Sequence, residues 1–241
     1  MEFELNHLRQ PVGRPVSGWT PPLFPSPEAT NGRYCRLEPL NIEQHARQLF
    51  DAFALDADGR GWTYLPYGPF ADIAGFRDWL ATVATGADPQ FYAIVSLASG
   101  MAVGLASYLR IDPKNGCIEV GHLNFSPLMQ RTALATEAMF LMMKRVFESG
   151  YRRYEWKCNA LNQPSRIAAQ RLGFSYEGLF RQAVIVKGRN RDTAWYSVID
   201  AEWSALQQAF MQWLAPENFD AAGKQRISLS ALTAPLLKQK G

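Results

Sequence analysis

Gln130, Arg131, Thr132 and Thr136 stand close together around the start of a long apolar run, and each can offer a hydrogen bond or a charge to an anion. The residues before them, 117–125, read as a strand; Ser126-Pro127 opens a short loop, and Gly150 closes the helix that follows. A strand feeding a helix N-terminus presents free backbone N–H groups, which hold a phosphate well. A buried strand and helix with no ligand would show the same pattern, so other features must separate the two.

One such feature lies in the strand. Ile118 and Val120 put its apolar phase on even positions, whereas Leu123 and Phe125 put it on odd ones. A strand changes face only when a residue is inserted into its register, so a β-bulge is expected near Gly121-His122. A bulge frees backbone N–H and C=O groups from the ladder, and a ligand carrying amides could use them. A bulge that merely bends the sheet is the plainer outcome.

A second feature is residues 62–70, WTYLPYGPF, with four aromatics and two prolines in nine residues. Such a segment is no ordinary solvated loop. Trp62, Tyr64, Tyr67 and Phe70 either plug a hydrophobic seam or wall a ligand pocket.

Composition narrows the classes. The chain has 241 residues, 47% of them hydrophobic and 20% charged, as a folded globular protein should. A net charge of +3 with no Lys/Arg-dense run argues against a nucleic-acid partner. No apolar stretch approaches the roughly 20 residues of a membrane span, and the acidic start MEFEL lacks the apolar region of a secretory signal. Cys35, Cys117 and Cys158, and likewise His7, His45 and His122, are scattered without disulfide or metal-ligand spacing. A cytoplasmic protein without a metal is expected.

The elements that must position these residues follow in order. Six prolines among residues 1–32 forbid a regular helix or central strand there, so this is an extended arm. With Trp19, Leu23 and Phe24 it lies on the body, lies on a second subunit, or stays disordered. A short strand at 33–40 precedes a helix capped by Asn41, and Asp72 caps a second helix to about residue 84. Residues 91–97, 102–111 and 117–125 form an antiparallel meander, its second turn carrying Asn115-Gly116. The central helix starts near Arg131. RRYEWKCNAL then alternates cleanly, with Tyr154, Trp156 and Cys158 on one face, and the helix before it permits parallel pairing with 117–125. Asn162 caps a further helix with Pro164 in its first turn, ending at Gly173. Strands at 176–186 and 193–199, joined by 187–192, and a helix at about 202–214 complete the chain. The stripe Trp203, Leu206, Phe210, Trp213 on that last helix is expected to cover a sheet edge or a subunit.

This order of elements, together with Asn162, Ser165 and Leu172-Gly173-Phe174, resembles the GNAT superfamily of N-acetyltransferases, in particular its RimJ/RimL-like branch. The resemblance covers residues 33–200. Residues 1–32 are then a proline-rich arm and 201–241 a C-terminal helical extension. It implies an α+β (mixed α/β) GNAT-like fold, a central mixed, twisted sheet flanked by helices. In the family's phosphate loop, Gln130, Ala135, Thr136 and Glu137 match, while Arg131 and Ala133 stand where glycines are usual. Ala133 adds one methyl to a backbone that must approach the phosphates, and Arg131 could pair with a phosphate instead.

The resemblance further implies acetyl-CoA as cofactor. Its pyrophosphate is expected on Gln130, Arg131, Thr132, Ala133, Leu134, Ala135 and Thr136. Its pantetheine is expected along Leu123, Asn124 and Phe125, with Asn162 touching the same arm. The proton donor to the departing thiolate, directly or through water, is expected to be Ser165, three residues after Asn162, because the position of the family's usual Tyr is Ala169; capping its helix turn is the plainer role. Glu119 is the expected base, with a solvated strand carboxylate as its ordinary role, and His122 a weaker choice. The acceptor is a primary amine, on a small molecule or a protein N-terminus, and the arm and tail suit a homodimer. The alternative is a non-catalytic acyl-CoA-binding or protein-interaction module on the same fold.

Overall fold

The computed structural model of the chain describes residues 3–241. In chain order the elements are β1 (Phe3–Leu5), β2 (Pro11–Gly13), β3 (Thr30–Asn31), β4 (Cys35–Pro39), α1 (Ile42–Ala54), α2 (Ile73–Val83), β5 (Gln90–Ser96), β6 (Ala102–Asp112), β7 (Cys117–Phe125), α3 (Ala133–Glu148), β8 (Arg153–Asn159), α4 (Gln163–Arg171), β9 (Ser175–Val186), β10 (Arg189–Ile199), α5 (Asp200–Leu214) and α6 (Leu229–Thr233). Apart from the small β1–β2 hairpin, the strands form one sheet in the order β3-β4-β5-β6-β7-β8-β10-β9. Every neighbouring pair is antiparallel except β7 and β8, which are parallel. This is the α+β architecture with a mixed central sheet flanked by helices.

Each face of the sheet carries its own core. On one face α1 and α2 bury Leu49, Phe53, Phe76 and Leu80 against Ala93, Val95 and Leu105. On the other, α3 sets Ala138, Met142 and Met143 against Tyr108, Ile118 and Tyr154. The period-two pattern of β8 explains how one strand serves both sides: Tyr154, Trp156 and Cys158 are buried while Arg153, Glu155, Lys157 and Asn159 are half-buried on the opposite face. Glu137 ties the layers together. Its buried carboxylate accepts the backbone N–H groups of Arg33, Tyr34 and Cys35 at 2.7, 2.6 and 2.9 Å, holding the entry to β4 against α3.

Helix caps fall where side chains can make them. Asn41, Asp72 and Asn162 each accept a backbone N–H from the first turn that follows. Three boundaries differ from expectation. The central helix starts at Ala133 with Thr132 as cap, because Arg131 has φ +60 and a left-handed residue cannot sit in a right-handed helix. The last hairpin turns on Lys187-Gly188 alone, both left-handed, which is the two-residue turn whose twist suits antiparallel strands; β10 therefore begins at Arg189 rather than 193. The stripe of the last helix covers neither a sheet edge nor a subunit here: Trp203 and Phe210 stack on Phe140, and Trp203 on Phe147, so α5 closes the outer side of α3.

From Trp19 onward the proline-rich arm lies along the body, whereas β1 and β2 form an exposed hairpin. Trp19 donates to the carbonyl of Gly150 at 3.1 Å and its ring faces Arg152, while the carbonyls of Leu23 and Pro25 accept from Tyr151 and Gln90. Arg145 reaches the carbonyls of Ser26 and Glu28. Residues 1 and 2, which belong to that arm, lie outside the described residues. Among the described residues no helix is long and apolar enough to cross a membrane.

Candidate active site

The two parallel strands at the centre of the sheet stay together for only four residues each. Pairing runs from Cys117–Arg153 to Val120–Trp156 and then stops. At that point β7 bulges: Ser107 pairs with Gly121 and Leu105 with Asn124, so three steps along β7 match two along β6, and His122 takes φ +52. The expected phase change at Gly121-His122 is this insertion, which bends β7 away from β8. Beyond it residues 121–125 pair with β6 alone and residues 157–159 with β10 alone. Between the diverging strands lies a cavity of about 460 Å³, lined among others by Glu119, Gly121, Leu123, Asn159, Asn162 and Ser165.

The loop after β7 is anchored from below. Met129 is fully buried and packs on Gly104, where any Cβ would collide with its sulfur. Gln130 donates its side-chain amide to the carbonyl of Phe125 at 2.6 Å, so it braces the loop. Thr132 caps α3 by accepting from Ala135. The amides of Ala133 and Leu134, in the first turn, have no intrahelical acceptor, and Arg131 is exposed beside them. Thr136, expected at the same mouth, is 3% exposed and accepts an N–H of Arg171 at 3.1 Å, so its hydroxyl serves the contact of α3 with α4. In β7, Leu123 and Phe125 pack into the α3-side core; Asn124 is buried and its Nδ2 finds no partner.

Glu119 and Ser165 both line the cavity. Glu119 is 3% exposed, and its Oε2 meets Arg110 at 2.7 Å and Lys157 at 2.8 Å. Burial pushes its carboxyl above the usual range, and the two cations pull it only part of the way back. Ser165 accepts the indole N–H of Trp156 at 3.0 Å, while its own backbone N–H goes to the cap Oδ1 of Asn162 at 3.2 Å. Ala169, one turn further along α4, is fully buried. His122 contacts the Tyr67 hydroxyl through Nδ1 at 2.9 Å; burial, then Arg110 and Arg191, push its pKa down to about 4. It is neutral and weakly basic.

The aromatic segment fills a hydrophobic seam, and of Trp62, Tyr64, Tyr67 and Phe70, all expected at a pocket, it is Tyr64 that lines the cavity. Trp62, 5% exposed, is wedged among Phe53, Tyr67 and Phe70, and Phe70 stacks on Trp79, so these rings seal the α1–α2 side. Tyr64, Leu65 and Pro66 face the cavity, and Tyr67 reaches it through His122. The tip of the β9–β10 hairpin straps this segment down: Lys187 Nζ donates to the carbonyls of Trp62 and Gly68 at 2.9 and 2.8 Å.

Several cavity residues were missed in the sequence, the positively charged ones among them. Arg110, Lys157, Arg191 and Trp195 all line the cavity. Lys157 Nζ sits 3.8 Å from the centre of the Trp195 ring and also meets Glu155 at 2.8 Å. Period-two alternation could have shown that Arg191, Thr193 and Trp195 share a face of β10. That they look onto Glu119 depends on β10 lying beside β8, a long-range pairing.

Comparison with known proteins agrees with this geometry. Residues 35–175 match the family described as the Acetyltransferase (GNAT) domain. A solved GCN5-related N-acetyltransferase from Brucella melitensis is 49% identical, with a TM-score of 0.89 over 91% of this chain and 100% of that one. A solved protein from Chromobacterium violaceum, a probable acetyltransferase of the GNAT family, is 43% identical, with a TM-score of 0.76 over 81% of this chain and 98% of its own. The uncharacterized N-acetyltransferase p20 of Bacillus licheniformis is 26% identical over 145 residues, 58% of this chain and 81% of p20.

Proposed function

The chain belongs to the GNAT acetyltransferase family, and from that premise we propose that it moves the acetyl group of acetyl-CoA to a primary amine by direct attack on the thioester. The amine belongs to a small molecule or a protein N-terminus, and the spacing of Asn162 and Ser165 favours the RimJ/RimL-like branch. The observation that carries the reading is the parting of β7 and β8 at the His122 bulge, with Ser165 and Glu119 on the walls of the cleft that opens.

The residues present suit the cofactor. The edge of β7 from Gly121 to Phe125 has no strand on the β8 side, so its backbone groups, apart from the Gly121 and Phe125 carbonyls that accept from Ser107 and Gln130, are open to the amides of a pantetheine. The open amides of Ala133 and Leu134, the positive end of α3 and the exposed Arg131 guanidinium favour a pyrophosphate. Where the family's loop uses glycine for a left-handed residue, Arg131 adopts that conformation itself. Acetyl-CoA, when bound, supplies an activated acyl thioester.

The chain's own residues then supply proton management. Glu119, raised by burial, takes a proton from the acceptor ammonium, directly or through water. Because both cations hold Oε2, Oε1 is the oxygen left for that task. Ser165 Oγ accepts from Trp156 and so keeps its own O–H to donate to the leaving sulfur. A backbone N–H released by the bulge can polarise the thioester carbonyl. The aromatic segment and the β9–β10 hairpin exclude water from the acceptor side.

Acetyl-CoA should raise the melting temperature by mass action, and thiol release should appear with some member of a primary-amine panel. Absence of any thermal shift at millimolar acetyl-CoA overturns the reading. A thermal shift without thiol release from any amine would favour an acyl-CoA-binding module instead.

A further inference from the structure

Among the described residues the charges around the cavity pair off with one exception. Arg110, Lys157 and Arg153 are matched by Glu119, Glu155 and Glu177, in contacts from 2.5 to 2.8 Å. Arg191 also lines the cavity, yet among the described residues it makes no ion pair, and its buried Nε has no hydrogen-bond acceptor. Trp195, four residues on along the same face of β10, likewise buries an indole N–H without an acceptor. An arginine in a half-buried setting loses hydration, and native structures normally return that loss through a carboxylate, a phosphate or a carbonyl. Here, among the described residues, no such group lies within hydrogen-bond reach, and the Glu119 charge acts on Arg191 only from further off.

We propose that the acceptor carries an anionic group, carboxylate or phosphate, beside its amine, and that Arg191 is the receptor for that group. The inference rests on the acetyl-transfer reading for the word acceptor; the binding site itself does not. Arg191, Thr193 and Trp195 stand on the face of the sheet turned towards Tyr64 and Pro66 and away from α3, which is the side left to the acceptor once the cofactor lies along β7. A planar guanidinium takes two oxygens of a carboxylate or phosphate at once, so it selects by shape as well as charge. Lys157 and Arg110 are already committed to Glu119 and add a positive field without competing for the same contact. Glu119, which lines the same cavity, is placed to meet the ammonium of the same molecule.

Product-like probes test this without requiring turnover. Wild type and Arg191→Gln, each saturated with CoA, are titrated calorimetrically with N-acetylphenylalanine and its neutral amide, and with N-acetylethanolamine phosphate and neutral N-acetylethanolamine. In wild type at least one anionic probe should bind tenfold or more tighter than its neutral partner, and the pair affected tells carboxylate from phosphate. In Arg191→Gln that ratio should fall to about threefold or less, and Arg191→Lys, which keeps the charge and folds under milder perturbation, should retain part of it. The proposal is overturned if acid and neutral probes bind alike, if no probe binds, if the preference survives in Arg191→Gln, or if the anions only displace CoA. Thiol release from acetyl-CoA is measured separately: its absence alongside Arg191-dependent binding would sink the transfer reading and leave the anion site standing.

Discussion

Trp156 donates its indole N–H to Ser165 Oγ at 3.0 Å, joining the last residue of β8 that still pairs with β7 to the first turn of α4. The bond orients the serine hydroxyl where the strands separate. It also fills one acceptor position on Oγ, so the proton is left to point elsewhere. Cys158 lies within reach of it: burial pushes that thiol up, and contact with Ser165 draws it partly back.

Ser165→Ala should therefore lower turnover by about 10²–10⁴-fold while acetyl-CoA affinity changes little, since the side chain acts on the leaving group. Trp156→Phe should reproduce part of the loss by leaving the hydroxyl unaimed. Thiol-release kinetics with calorimetric cofactor binding checks both; full turnover in Ser165→Ala removes this residue from the mechanism.

Arg131 pays a backbone cost for its charge. At φ +60 a residue with a Cβ is strained by about 1 kcal/mol or more, which glycine avoids. Arg131→Gly is expected to raise stability slightly, by about 0.5–1 kcal/mol, and to weaken acetyl-CoA binding about tenfold through loss of a charge-assisted contact. Unchanged affinity would mean that the loop amides alone hold the phosphates.

Glu137→Ala removes the acceptor of three backbone N–H groups, that of Cys35 buried and those of Arg33 and Tyr34 partly so. Each orphaned donor costs about 1–3 kcal/mol, so a loss of about 3 kcal/mol or more is expected in denaturant unfolding. A loss below 1 kcal/mol would show that β4 is held in place by packing instead.

His122 gives the fold an acid sensitivity with a definite sign. Its pKa is lowered from 6.5 to about 4, so the neutral form is the one the fold prefers. That contribution is complete above pH 6.5 and is lost as pH falls from 6.5 towards 4, with a slope of at most about one proton. The raised carboxyl of Glu119 acts in the opposite sense, favouring the fold at low pH. Comparing wild type with His122→Asn, a residue type that tolerates left-handed backbone, isolates the histidine: the variant should lose less stability between pH 7 and 5. Parallel pH profiles for the two proteins would exclude it.

Lys187→Met cuts the strap between the β9–β10 hairpin and the aromatic segment. Because the side chain is exposed, a cost of only about 1 kcal/mol in stability is expected. The larger effect should fall on KM for the acceptor, with KM for acetyl-CoA nearly unchanged, because the strap closes the acceptor side. Equal rises in both constants would argue for a general loss of structure.

What was legible in the sequence was local. Helix caps at Asn41, Asp72 and Asn162 depend on a side chain and the turn that follows it, so they can be read from a few neighbouring residues. The bulge was legible for the same reason, as a break in a period-two pattern within nine residues. The parallel pairing of β7 and β8 followed from the helix between them. Thr136 shows the limit: its place in the motif is as expected, but its hydroxyl faces Arg171 because α4 packs against that turn.

By itself, then, the sequence determined the order of elements, the bulged strand and the loop before α3, because each is encoded in contacts between residues close along the chain. Only the tertiary structure decided which charges look into the cleft. Arg191 and Lys157 lie 72 and 38 residues from Glu119 in the numbering, and β8 and β10 bring them to one wall. Burial is the reason it matters there: the same carboxylate and guanidinium on a solvated strand face would be ordinary surface charges. In a cavity their pairing, or its absence, becomes a property a ligand can read.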